Sequence, residues 1–165
     1  MIYLNYQHLY YFQAVAQEGS IAQYYLSQYD LAELDMNKAI EVDTGKWEPN
    51  DLYRKLWIFL AQEKKNKSGR AYIKSFRGEL KRNHWPDSLF LLFTGEMTVD
   101  RLQAIPKKWD RTKRCQAHFY AGIFYKMEKR YEEAKTAFED AQKPAEDCIE
   151  MHAAEFELNA LPKSN

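Results

Sequence analysis

The sequence predicts an all-α protein built from helical repeats around an irregular middle. Three observations carry that reading. Apolar residues recur at helical spacing in one segment after another. Gly and Pro are scarce, 6 and 5 among 165 residues, which leaves little material for the tight turns of a β-fold. Two distant segments also share one order of small and aromatic residues, the mark of a repeat. The length fits a single domain, 1–165, whose core can form without staples.

The elements follow in order. A helix pair is expected over residues 4–27 and 30–42. Pro49, Asn50 and Asp51 break the chain and offer a capping oxygen. Leu52, Tyr53, Leu56, Trp57, Phe59 and Leu60 then form the wide stripe of a core-facing helix over 51–62. A more basic helix is expected over 68–82, and a short apolar one over 88–93, closed by Gly95. Thr98 should cap a brief helix that ends before Pro106. Asp110 or Thr112 should start a long helix through Lys126. Further helices are expected over 131–142 and 147–160, ending at Pro144 and Pro162. The domain therefore reads as an N-terminal repeat (4–44), an irregular middle (50–106), a C-terminal repeat (110–144) and a capping helix (147–161).

The repeat pattern is clearest around His118. Gly122 leaves room for a crossing helix, and Tyr125 follows it. Tyr131 opens the second helix, Ala134 faces the first, Phe138 fills the gap, and Ala141 is small again. Close helix approach needs this mixture: small residues admit the neighbour's backbone, and aromatics occupy the rest. A weaker copy has Tyr29, Ala32 and Ala39 in the places of Tyr131, Ala134 and Ala141, with Ser20 for the glycine and Met36 for the aromatic. Ala32 and Ala134 lie 102 residues apart, three times the 34-residue tetratricopeptide (TPR) period. His118 and His152 lie 34 apart, so a third, incomplete unit is expected to cap the stack. These residues resemble TPR units.

Further stretches narrow the resemblance. They are 50–61, with Leu56, Trp57, Leu60 and Ala61; Trp85 with Pro86; 92–98, with Gly95 and Thr98; 115–122; and 150–158. Their order resembles the TPR proteins related to the bacterial lipoprotein NlpI, over roughly Tyr24 to Leu161. The resemblance implies a non-enzymatic adaptor or scaffold, with a place in the cell envelope. Residues 4–22 also resemble the opening of a LysR-type regulator, which keeps a DNA-binding fragment as the alternative function. The following stretch, 26–37, holds no Lys or Arg to meet phosphates or base edges, and Lys38 is the nearest base. The same N-terminal residues also suit a first repeat helix, with Leu9, Phe12 and Ala16 on one stripe.

Formal net charge is zero, so no global field draws the chain to nucleic acid or membrane. The charge is uneven, however. Residues 62–84 hold eight Lys/Arg against two acids, and residues 128–157 hold ten acids against four Lys/Arg. Such runs are either solvated helix faces or a dipolar surface that orients a partner. No membrane span or signal sequence is read, so the chain reads as cytoplasmic. No phosphate loop, nucleophile elbow or zinc-protease motif occurs, and no enzyme activity or cofactor is expected.

Cys115, His118, Cys148 and His152 sit at the starts of two helices, one turn apart within each pair. Zinc ligation, a Cys115–Cys148 disulfide in an exported protein, and two buried thiols are all open to these residues, and no metal site is adopted. The expected function is protein binding in a concave groove. By resemblance to TPR groove positions, its lining is Gln17, Ile21, Tyr24 and Tyr25 in front and Phe119, Ile123, Lys126 and Met127 behind. The partner is a protein or peptide.

Overall fold

Some helix ends fall where the sequence supplies groups to close them. The computed structural model describes residues 19, 21–42, 49–65, 69–80, 84–143 and 148–162. Among these, residues 21–25 are helical, followed by α1 (Tyr29–Val42), α2 (Pro49–Lys64), α3 (Gly69–Ser75), a 3-10 turn (Arg77–Glu79), α4 (Asp87–Phe93), α5 (Val99–Ala104), α6 (Arg111–Met127), α7 (Tyr131–Gln142) and α8 (Ile149–Asn159). No strand occurs among the described residues, so the all-α expectation holds there. Residues 1–18 and 20, which hold most of the LysR-like stretch, Gln17 and Ser20, lie outside the described residues. So does Pro144.

The chain divides into two units, residues 1–80 and 81–165, where the sequence predicts one domain. The boundary falls inside the expected irregular middle. In the first unit α1 packs on α2, and α2 on α3. Ala32 and Met36 of α1 are buried, as are Leu56 through Ala61 of α2. Tyr24 meets Trp57 edge to face, with centroids 5.5 Å apart. A polar seam runs beside this core. Glu33 of α1 accepts from Gln62 and Lys65, both at 2.9 Å, and Lys65 also pairs with Asp30. Part of the basic run is thus spent on acids of the neighbouring helix. Arg54, 1% exposed, pairs with Asp51 at 2.7 Å one turn earlier.

The basic helix expected over 68–82 is shorter. It stops at Ser75, whose hydroxyl donates to the Tyr72 carbonyl at 2.7 Å, and a 3-10 turn with Gly78 follows. A serine bonded back to its own helix competes with the backbone ladder, and glycine lowers helix propensity further.

In the second unit, α6 and α7 form an antiparallel hairpin, and α8 packs on both. α4 and α5 pack on the first helix of that hairpin. Thr98 caps α5 by accepting from the Arg101 N–H. Asp110, not Thr112, caps α6 by accepting from the Lys113 N–H at 3.1 Å. Gly95 takes φ +79° after α4, and the Glu96 N–H reaches the Leu91 carbonyl at 2.9 Å, a glycine-closed helix end. Lys129 plays the same part after α6 with φ 60°, and the Arg130 N–H bonds the Tyr125 carbonyl at 2.9 Å. That turn sends α7 back along α6.

The hairpin closes on one contact. A Cβ built on Gly122 would lie 2.5 Å from the Phe138 ring, so only glycine lets α7's aromatic lie against the α6 backbone. Phe119, Tyr120, Ala134, Phe138 and Ala141 are fully buried around that crossing.

Candidate functional site

The structure places the expected groove residues unevenly. Ile21 and Tyr24 are buried in the first unit, and Phe119 and Ile123 in the second. This corrects their assignment to an open groove. Phe119 packs against Phe138, with centroids 6.0 Å apart, and against Tyr120 at 5.0 Å. Such side chains hold helices together and offer a partner no surface. Tyr25, Lys126 and Met127 are half-buried. Lys126 pairs with Glu157 of α8, itself 2% exposed. The α6 face that should carry a ligand is therefore engaged by the next helix. Gln17 lies outside the described residues.

An open concavity of the second unit lies elsewhere. Gln103 of α5, Tyr125 of α6 and Glu132, Glu133, Thr136, Ala137 and Asp140 of α7 line a cleft of about 340 Å³. The short α5 helix forms one wall because Thr98 caps it and Leu102 anchors it in the core. Tyr125 is held half-buried by the Arg130 guanidinium, 4.4 Å above its ring. Arg130 also bonds Glu133, and Lys143 pairs with Asp140 at the far rim. The acidic run is thus partly neutralised where it edges the cleft, and Glu132 and Thr136 stay exposed.

His118 lies behind Gln103, its Nδ1 3.2 Å from the amide nitrogen. Burial holds its imidazole below the usual pKa, against an opposing pull from Asp140. A neutral ring accepts from the Gln103 amide, which fixes that cleft wall. Sequence reasoning missed Gln103, Thr136 and Glu132 because nothing in their spacing separates a cleft wall from a solvated face. It placed Tyr125 in the repeat as a packing residue. The signal available was its position one residue before Lys126, on the neighbouring face of α6.

A second polar feature is wholly internal. Gln116 of α6 accepts from the Trp85 indole N–H at 2.9 Å and donates to Glu150 of α8 at 3.2 Å. Gln116 is 7% and Glu150 4% exposed. Burial pushes the Glu150 carboxyl up to about 7, while its own backbone N–H and Gln116 pull the other way.

No protein-family model, curated protein or solved structure matches the chain. Among the described residues no helix is long and apolar enough to cross a membrane, and no three His, Cys, Asp or Glu side chains converge as metal ligands would.

Of the three states open to the cysteines, the structure has the disulfide. Cys115 on α6 joins Cys148 at the start of α8, both buried. His118 faces Gln103 instead, and His152 is exposed. Blocking the unfolded, unreduced protein with iodoacetamide should leave both cysteines unlabelled by mass spectrometry, and labels on both would mean separate thiols.

Proposed function

We propose that the chain is a non-catalytic, TPR-like adaptor that holds a segment of another protein in the cleft between α5, α6 and α7. The observation that carries this reading is the hairpin with its neighbour. α6 and α7 cross at Gly122 and Phe138 and are covered by α8, while α5 stands off far enough to leave an open cleft. A hairpin packed on one side and open on another offers a partner a place to enter, and the resemblance in sequence supports an adaptor role, including work in a bacterial envelope.

The cleft's chemistry favours an amphipathic guest. Ala137, Thr136 and the Tyr125 ring offer apolar contact beside the acidic side chains of Glu132, Glu133 and Asp140, the last two already paired with Arg130 and Lys143. A segment carrying Lys or Arg beside a small apolar residue suits it.

Thr136→Arg tests the idea. The residue is exposed, so the fold should survive while the new side chain fills the cleft and adds a repelling charge. Affinity capture with the full chain, followed by mass spectrometry, should find partners that Thr136→Arg binds about tenfold or more weakly. Equal capture by both proteins would place the binding surface elsewhere. Tyr24→Ala and Phe119→Ala are unsuitable probes, because both residues are buried and would lose stability first.

A further inference from the structure

The strongest unassigned surface feature is the turn that leads into α6. Residues 107–114 hold Lys107, Lys108, Arg111, Lys113 and Arg114 against Asp110 alone, five cations to one acid. Trp109 stands among them 73% exposed, and Lys107, Lys108 and Arg111 are exposed as well. The turn is built, not loose. The Asp110 N–H bonds the Lys107 carbonyl at 2.9 Å, and the Arg114 guanidinium donates to the Lys108 carbonyl at 3.3 Å. Asp110 is occupied at the helix cap and pairs with Lys113 at 2.9 Å. The Lys107 ammonium lies 5.6 Å from the Trp109 ring centre. An indole is thus presented to solvent on a hydrogen-bonded turn, with Lys107 near its ring and further cations on both sides of it in sequence.

We propose that this turn docks the protein on an anionic lipid surface, with the Trp109 indole in the headgroup layer and Lys107, Lys108 and Arg111 against lipid phosphates. An indole is apolar in body and polar at its N–H, which suits the boundary between headgroups and acyl chains. Clustered Lys and Arg each add attraction to such a surface. A single-stranded nucleic acid fits less well. It needs a track of aromatics for successive bases, and here one ring stands at the tip of one turn.

The acids of α7 do not oppose the contact. Those at the start of α7, Glu132 and Glu133, lie at the other end of the hairpin, a helix length of about 25 Å away for the 17 residues of α6. That exceeds the screening length of roughly 8 Å at physiological salt. At the near end of α7, Lys143 bonds Asp140 and also offsets Glu139.

The test is co-sedimentation of the full chain with vesicles of phosphatidylcholine alone, and with roughly a third of it replaced by phosphatidylglycerol. The anionic vesicles should bind about tenfold or more protein at equal lipid, and about 0.5 M salt should remove the difference. Trp109→Ala and the double variant Lys107→Glu/Lys108→Glu should each lower binding about tenfold, with unchanged circular dichroism because these side chains are exposed. Equal binding to both vesicles, or anionic binding that neither variant weakens, overturns the proposal. So does Trp109-dependent binding to a single-stranded oligonucleotide without vesicle binding.

Discussion

Truncating Phe138 to alanine should cost about 4 kcal/mol of stability, the usual loss for a large aromatic deleted from a tight core. The ring is fully buried and meets both Phe119 and the α6 backbone at Gly122. The converse change is more diagnostic. On a bare helix Gly→Ala gains about 1 kcal/mol. At Gly122 the new methyl would stand 2.5 Å from Cε1 and 2.6 Å from Cδ1 of Phe138, so one of the two helices must shift. Overpacking of this kind costs about 1–3 kcal/mol, and Gly122→Ala should therefore destabilise by roughly 2 kcal/mol. Combining it with Phe138→Leu should cost less than the two changes separately, because the smaller side chain vacates the space the methyl needs. Urea unfolding of the four proteins measures the coupling. A stabilised Gly122→Ala would show that the crossing is looser than described.

Glu150→Gln should stabilise the protein by about 3 kcal/mol above neutral pH and change little near pH ~4. Its folded-state carboxyl titrates at about 7 against an ordinary value of 4.5. The sign follows from which state holds the proton. Below the unfolded value both states are protonated and the group contributes nothing. Between the two values the folded state keeps a proton that the unfolded state has released, so stability falls as pH rises. Above about 7 the folded state must carry a buried charge, and the loss is complete. A glutamine keeps a carbonyl for the Gln116 amide at 3.2 Å without the charge. Thermal melts of both proteins across this range should show a falling limb in the wild type that Glu150→Gln lacks. Parallel curves would mean that Glu150 ionises without penalty.

Much of the second unit was legible because its local chemistry is unambiguous. Thr98, Gly95 and Asp110 each close a helix end as their side chains or φ preferences demand. Gly122, Ala134, Phe138 and Ala141 read as a crossing because small and large residues alternate at helical spacing. The first unit was legible in its stripe from Leu52 to Leu60, but the helix expected over 68–82 was not one helix. Propensity alone did not register the bond from the Ser75 hydroxyl to the Tyr72 carbonyl.

The functional surface was the least legible. Periodicity says that Phe119, Ile123 and Lys126 share a face, but not whether solvent or another helix meets it. The buried Glu157 beneath Lys126 decides that, and it lies 31 residues away. Glu150 presents the same difficulty, since a glutamate in an acidic run reads as exposed. Trp109 presents the reverse, since a tryptophan reads as core.

The chain of hydrogen bonds from Trp85 through Gln116 to Glu150 also has an optical meaning. An indole whose N–H donates into a polar link ending on a titrating carboxyl feels the change of charge at the far end. The pH-dependent part of the ultraviolet emission that Trp85→Phe removes can thus gauge whether the start of α8 carries its proton, separately from Trp47, Trp57 and Trp109.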